Sequence, residues 1–333
     1  MSSIAVLGSG GWGTALAIAL SKQGHSVSLW SAFEDEANSL IKTREHQKLL
    51  AGVKIPQSVD ITSSDECVKN KDIIIIAVPS FAVRTTVERV YKKVDKKSVI
   101  VNVAKGIEDN TFKRLSEVIK EYFPDNSVTV LSGPSHAEEV ALDKVTSLVC
   151  ASEDKTAAKY IQSQFNSSSL RIYTSDDIIG VELGGALKNV MAICKGILEG
   201  AGLGDNCIAA MMTRGLTEMA RLGVSMGAKQ MTFAGLTGIG DLIVTCMSVH
   251  SRNHRCGVLI GKGMNAKDAI NQIGMTVEGY HATLTAKKLA KKYNVDMPIV
   301  TQCYEVMYEN KSVKDAIEQL MQREVKDENE DIW

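Results

Sequence analysis

The sequence has no Cys-x-x-Cys pair, no apolar run long enough to span a bilayer, no surplus of either charge and no low-complexity tract. Each absence removes a class of protein. The seven cysteines, at 67, 150, 194, 207, 246, 256 and 303, are odd in number and scattered, which fits reduced thiols and argues against a disulfide framework or a zinc site. The longest purely apolar runs, such as Ile73–Pro79, are strand length. A formal net charge of −1 provides no basic field for nucleic acid or an anionic membrane, so a site for a negative ligand has to be built locally. Periodic structure begins at Ile4 and leaves no room for a signal peptide, so the expectation is a cytoplasmic protein.

What is present is an ordinary globular composition, 44% hydrophobic and 23% charged, in 333 residues, which is more than one typical core. The first half alternates short β-like runs with amphipathic helices. Strands are expected at 4–8, 26–30, 72–78, 98–104, 127–132, 146–151 and 170–174, with helices at Thr14–Gln23, Phe112–Tyr122 and Lys155–Phe165 among them. Strands apolar throughout and alternating with helices indicate a parallel sheet covered on both faces. After about residue 178 the pattern is helical, through Val181–Leu198, Asn206–Gly223, Arg255–Lys262, Ala266–Gln272, Gly279–Tyr293, Thr301–Glu309 and Ser312–Arg323. The end, VKDENEDIW, is acidic and aperiodic and is expected to be a solvated tail.

The first strand runs into GSGGWG, where Gly8, Gly10 and Gly13 have G-x-G-x-x-G spacing, and then into a helix. Gly8 permits the tight turn, Gly10 a close approach to a diphosphate, and Gly13 the packing of helix on sheet. The helix start turns its N–H groups to the anion. We therefore expect an α/β, Rossmann-like dinucleotide-binding domain over 1–178, followed by an all-α substrate domain over 179–333. Glu34 and Asp35, after the second strand, stand near where such folds place an acid on the adenosine ribose; an exposed acidic turn reads equally well. No Arg or Lys adjoins them to meet a 2′-phosphate, which leans the reading to NAD(H) over NADP(H). AVPSFAV (77–83), NVAKGI (102–107) with Lys105, and LSGPSHAEEV (131–140) with Ser135 are strand-end loops that together describe a cleft.

In the helical half, Lys188 interrupts an apolar run, with Gly184, Gly185 and Ala192 on its face. A lysine there either snorkels to water or is held dehydrated, with its pKa drawn toward proton-transfer chemistry. Two adjacent glycines in a helix cost roughly 1–2 kcal/mol relative to alanine, which suggests that something approaches closely. Asn189 flanks the lysine. GLTGIGD is read as a flexible loop ahead of Asp241, whose carboxylate is placed to orient an amine, with Thr245 one turn on. Ser251, Arg252 and Asn253 make either a phosphate cradle or a helix cap with a surface arginine. His250, His254 and Cys256 lack metal-ligand spacing, and no metal site is expected.

Together GSGGWGTALA, AVPSFAVR, VAKGIE, LSGPSHAEEV, GVELGGALKNV, GLTGIGDLIVTC, SVHSRN and VEGY resemble the bacterial-type NAD(P)-dependent glycerol-3-phosphate dehydrogenases, in order from about Ile4 to Arg323. The resemblance implies reversible reduction of dihydroxyacetone phosphate to sn-glycerol 3-phosphate, with NAD(H) or NADP(H), feeding glycerophospholipid synthesis. It implies Lys188 as proton acceptor in the oxidation direction. Lys105, Gly133, Ser135, Asp241, Ser251, Arg252 and Asn253 match substrate-contacting positions, joined physically by Asn189 and Thr245. Gly11, Trp12, Phe33, Lys105, Ala137, Arg252 and Glu278 are the corresponding cofactor positions, beside Gly8, Gly10 and Gly13. The expected mechanism has Lys188, oriented by Asp241, protonate the carbonyl oxygen while Lys105 stabilises the alkoxide and Arg252 with Asn253 clamps the phosphate. Two departures stand out: Ala32 and Phe33 replace a basic pair common in relatives, and Gly11 replaces a frequent serine. A 3-hydroxy-acid or acyl-CoA dehydrogenase and a non-catalytic nucleotide sensor are the rival readings. The sequence does not give the oligomeric state; a homodimer is the expectation for the class.

Overall fold

A computed structural model describes residues 1–248, 251–325, 327 and 328. His250 and the last residues of the acidic tail lie outside the described residues. The chain divides into two compact units, Met1–Glu108 with Lys113–Ile178, and Asp109–Phe112 with Ile179–Trp333. The short Asp109–Phe112 excursion was not anticipated. Asp109 accepts from Thr285 Oγ1 at 3.1 Å, within the second unit.

The first unit is an eight-stranded sheet: β1 (Ser3–Leu7), β2 (Ser26–Trp30), β3 (Val59–Thr62), β4 (Ile73–Ile76), β5 (Val99–Asn102), β6 (Val128–Ser132), β7 (Thr146–Ala151) and β8 (Leu170–Ser175), in the order β3-β2-β1-β4-β5-β6-β7-β8. Alternation sorts each strand's side chains to two cores. Ile4, Val6, Ile73 and Ile75 enter one core, and Ala5, Leu7, Ile74 and Ile76 the other. Burial on both faces is why these strands read as unbroken apolar runs. The order reverses between β1 and β4, which opens the crevice at the carboxyl ends of these strands that doubly wound folds use for ligands.

Two expectations are corrected. The sheet is not parallel throughout: β7 runs antiparallel to β6, with Leu131 opposite Cys150. The Phe112–Tyr122 helix begins at Leu115, because Phe112 adopts a left-handed φ of 58°. The short edge strand β3 and the helices Glu34–Thr43 and Val83–Val90 were not anticipated.

No strand occurs among the described residues of the second unit. Its long helices are Ile178–Gly200, Asp205–Ser225, Glu278–Tyr293 and Pro298–Tyr308. The first of these packs on Arg252–Gly261 through glycines spaced four apart on both. A Cβ on Gly196 would stand 2.2 Å from the His254 carbonyl oxygen, and one on Gly257 2.3 Å from that of Ile193. The backbones meet directly there, so the register between the two helices is tightly set. Among the described residues no single helix is long and apolar enough to cross a membrane.

Glu218 is 3% exposed, and its carboxylate accepts the Ile299 and Val300 N–H groups at 2.7 and 3.1 Å, at the start of Pro298–Tyr308. Burial outweighs the two amides and pushes the carboxyl up from 4.5 to about 8. With the folded value raised, the folded state holds the extra proton between these limits, so Glu218's contribution to stability declines as pH rises from about 4.5 to about 8. Urea melts across that window are expected to show this decline for the parent and a flatter profile for Glu218→Gln; parallel profiles would contradict it.

Candidate active site

In the first unit, β1 runs into Gly8, whose φ of +122° needs glycine and where a Cβ would stand 2.7 Å from the Ala77 carbonyl. A Cβ on Gly13 would stand 1.9 Å from Gly8 O, so strand end and helix start are in contact. Gly10 differs, since a Cβ there meets nothing within 4 Å. It opens the Gly11–Lys22 helix, and no side chain caps it. Trp12 Nε1 beside it is buried without a partner. An uncapped helix start, an open approach at Gly10 and an orphaned indole donor fit a dinucleotide's diphosphate. A Cβ on Gly11 would meet Leu49 and Ala137 at ordinary contact distances, 3.6 and 3.7 Å, so the backbone here leaves room for the β-carbon of the serine that glycine replaces. Ala137 begins the short Ala137–Ala141 helix packed there.

Glu34 and Asp35, named from the sequence, are exposed. The acid that turns toward the end of β2 is Glu36, in the first turn of Glu34–Thr43, where it accepts the Ser9 and Ser31 hydroxyls at 2.5 Å each. The His46 ring, 3.7 Å away, and these hydroxyls hold its carboxyl down at about 2. A helical reading of FEDEANSL, with Ala37 and Leu40 inward, was the signal for it. Phe33 is 72% exposed at the N-cap of that helix.

Lys105 follows β5 on a turn that Asn102 clips through Ala104, with 3.2 Å bonds in both directions. Its Nζ donates to the Gly133 carbonyl at 2.9 Å, which also accepts the Ser135 hydroxyl at 2.9 Å. Gly133 has φ +134°. Lys105, Gly133 and Ser135 therefore form one polar cluster at the ends of β5 and β6.

In the second unit, Lys188 does not snorkel. It is 7% exposed, and its Nζ donates to Asp241 Oδ1 at 2.6 Å and to Thr245 Oγ1 at 2.5 Å. Asp241 and Thr245 are 1% and 5% exposed and stand one turn apart on Asp241–Met247, on the same helix face. The GLTGIG segment is not a flexible loop. Leu236–Gly240 is a wide helical turn closed by Gly240 N–H on Gly235 O at 3.2 Å, with Thr237 and Gly238 buried. Its Thr237 carbonyl would lie 2.4 Å from a Cβ on Gly184. The close approach suggested by the glycine pair is therefore this turn, which delivers Asp241 to Lys188.

Asn253 donates to Asn189 Oδ1 and accepts Gly279 N–H, both at 3.0 Å, tying the Lys188 helix to Arg252–Gly261 and to the start of Glu278–Tyr293. Ser251 caps Arg252–Gly261 by accepting His254 N–H at 3.2 Å, and Arg252 is exposed at its first position. Glu278 is the first residue of its own helix. His254 Nε2 meets Glu199 and Lys195 at 3.0 and 2.9 Å, a trio missed in the sequence. No His, Cys, Asp and Glu group among the described residues is arranged to hold a metal ion.

Two family models cover nearly the whole chain: NAD-dependent glycerol-3-phosphate dehydrogenase N-terminus over residues 3–158 and C-terminus over 177–318. A glycerol-3-phosphate dehydrogenase [NAD(P)+] of Thermoanaerobacter sp. is 48% identical over 326 residues, 98% of each chain. That of Oceanobacillus iheyensis is 48% identical over 335 residues, covering 100% of this chain and 97% of its own. The crystal structure of glycerol-3-phosphate dehydrogenase from Coxiella burnetii superposes with a TM-score of 0.92 at 36% identity, covering 97% of this chain and 99% of the other. With matches to both halves in order, the chain belongs to the NAD-dependent glycerol-3-phosphate dehydrogenase family.

Proposed function

We propose that this chain interconverts dihydroxyacetone phosphate and sn-glycerol 3-phosphate with Lys188 as proton donor and acceptor. The observation that carries the reading is the buried Lys188–Asp241–Thr245 cluster, with contacts of 2.6 and 2.5 Å. Asp241 aims the amine and balances its charge when it carries the proton, and Thr245 fixes its second direction. In reduction, Lys188 gives a proton to the carbonyl oxygen; in oxidation it takes the proton from the C2 hydroxyl. Bound NAD(P)H or NAD(P)+ supplies or accepts the hydride. The helix start at Gly10–Trp12 holds the cofactor's diphosphate, with Gly8, Gly13, Phe33, Ala137 and Glu278 as further cofactor positions. Lys105, held with Gly133 and Ser135, puts positive charge on the developing alkoxide. Arg252, whose exposed guanidinium projects from a capped helix start, takes the substrate phosphate. Both amide ends of Asn253 are engaged, so its part is to hold Arg252 in register with Asn189. Residues 1–178 thus act as the dinucleotide-binding domain and 179–333 as the substrate domain.

The 2′-phosphate of NADP(H) would meet Glu36 at the end of β2 and no cation at Ala32 or Phe33, so NADH is the preferred cofactor. The wider setting we propose is cytoplasmic supply of glycerol 3-phosphate for glycerophospholipid synthesis by a homodimer; seven free cysteines accord with a reducing compartment. The rival substrates lose support because both family models and the relatives described above carry the glycerol-3-phosphate dehydrogenase name.

Lys188→Ala is expected to keep cofactor affinity while turnover falls at least about 100-fold, in line with loss of a general acid. Steady-state kinetics beside fluorescence titration of NADH checks this, and turnover within a few-fold of the parent contradicts it. For the parent, kcat/KM with NADH is expected to exceed that with NADPH about tenfold, roughly 1.4 kcal/mol. Glu36→Gln is expected to narrow the ratio, whereas a parent that favours NADPH contradicts the reading.

A further inference from the structure

Between the Glu34–Thr43 helix and β3 the chain makes a tied loop that the proposed chemistry does not use. Arg44 donates to the Val59 carbonyl at 2.8 Å, and Glu45 pairs with Lys54 at 2.6 Å while accepting Gly52 N–H at 2.8 Å. Inside the loop, His46 O accepts the Leu49 and Leu50 N–H groups at 3.1 and 2.8 Å. Leu50 roots this turn in the core beneath the sheet, and Leu49 lies against Gly11 at the helix start. The turn is therefore a fixed wall beside the glycine loop.

His46 is buried on that wall, 8% exposed. Its Nδ1 accepts Leu49 N–H at 3.3 Å. A ring nitrogen that accepts carries no proton, so the ring is neutral with its proton on Nε2. This Nε2–H is buried without a hydrogen-bond partner and stands 3.7 Å from Glu36 Oε1. A buried donor left unmade is costly, so ring and carboxylate are drawn together. Glu36 Oε2 already accepts the Ser9 and Ser31 hydroxyls. Of these three groups, His46 alone addresses Oε1. The Glu36 side chain is 36% exposed, open to a bound cofactor, and a neutral ring orients its charge without cancelling it.

We propose that His46 is a positioning residue for cofactor choice, its Nε2–H setting the rotation of the Glu36 carboxylate so that Oε1 meets the adenosine ribose hydroxyl and the charge opposes a 2′-phosphate. The proposal rests on the reading of Glu36 as the acid that selects NADH.

The test measures Kd for NADH and NADPH by nicotinamide fluorescence, with kcat alongside, on the full-length parent, His46→Leu, His46→Gln, Glu36→Gln and the double variant Glu36→Gln with His46→Leu. Leucine removes the donor, and His46→Leu is expected to lower the NADPH-to-NADH Kd ratio at least about threefold, the scale of one net hydrogen bond, with kcat at saturating NADH unchanged. His46→Gln keeps an N–H donor and is expected to retain the parent ratio. In the Glu36→Gln background, His46→Leu is expected to change the ratio no further, because its effect runs through Glu36. A residue that only stabilised the turn would act alike in both backgrounds, and that result overturns the proposal. If Glu36→Gln narrows the ratio and His46→Leu does not, the proposal falls while the reading of Glu36 stands. If Glu36→Gln leaves the ratio unchanged, both fall. Should the His46 variants not fold, 15N-histidine NMR of the parent decides, on the histidine signal that Glu36→Gln perturbs. A proton on Nε2 whose signal moves with NADH supports the proposal; a proton on Nδ1, or a signal indifferent to NADH, overturns it.

Discussion

A lysine ammonium that is 7% exposed among helices must be compensated on the spot, and Asp241 and Thr245 are what compensate it. Removing one partner of a buried ion pair costs about 3–5 kcal/mol, because the other charge is left dehydrated and alone. Much of the second unit is shaped by that demand. Gly184 is small because the Thr237 carbonyl lies against it, and Leu236–Gly240 turns widely so that Asp241 opens a helix facing the amine. Thr245 follows at the spacing that returns to the same face. The glycines at 196 and 257 let the next helix close on the first, and the Asn189–Asn253–Gly279 chain locks their register.

The first unit solves a different problem with related means. An anion needs donors without side chains in the way, and the Gly8–Gly13 turn provides a helix start that no residue caps. The turn survives because backbone touches backbone at Gly8 and Gly13. Close by, Ser9 and Ser31 converge on Glu36, so a negative charge is fixed at the end of β2, where cofactor selection is made in such folds.

How much of this was legible in the sequence varied with how local the cause was. Lys155–Phe165 was delimited correctly, since its Asp154 cap and apolar spacing lie within the segment. The strands buried on both faces were equally plain. The direction of β7 was not, because buried parallel and antiparallel strands have the same apolar run. β3 escaped as a four-residue edge strand of mixed polarity, VDIT. At the site, the apolar setting of Lys188 left water and burial open; the approach of a turn some fifty residues later decided it. Glu34 and Asp35 were left open between ribose contact and an exposed acidic turn, and both are exposed; the inward turn of Glu36 was missed because the helix starting at Glu34 was not recognised. The cap and the cradle at Ser251–Asn253 were posed as alternatives, but the geometry has Ser251 capping and Asn253 bridging, with Arg252 left exposed.

The central claim is that the Lys188 amine is positioned to exchange a proton with the substrate oxygen. A crystal structure of the enzyme with NADH and glycerol 3-phosphate measures this directly. The account predicts the C2 oxygen about 3 Å from Lys188 Nζ, with the Asp241 contact retained. A substrate bound with that oxygen on another donor, and Lys188 still enclosed by Asp241 and Thr245 alone, would contradict it.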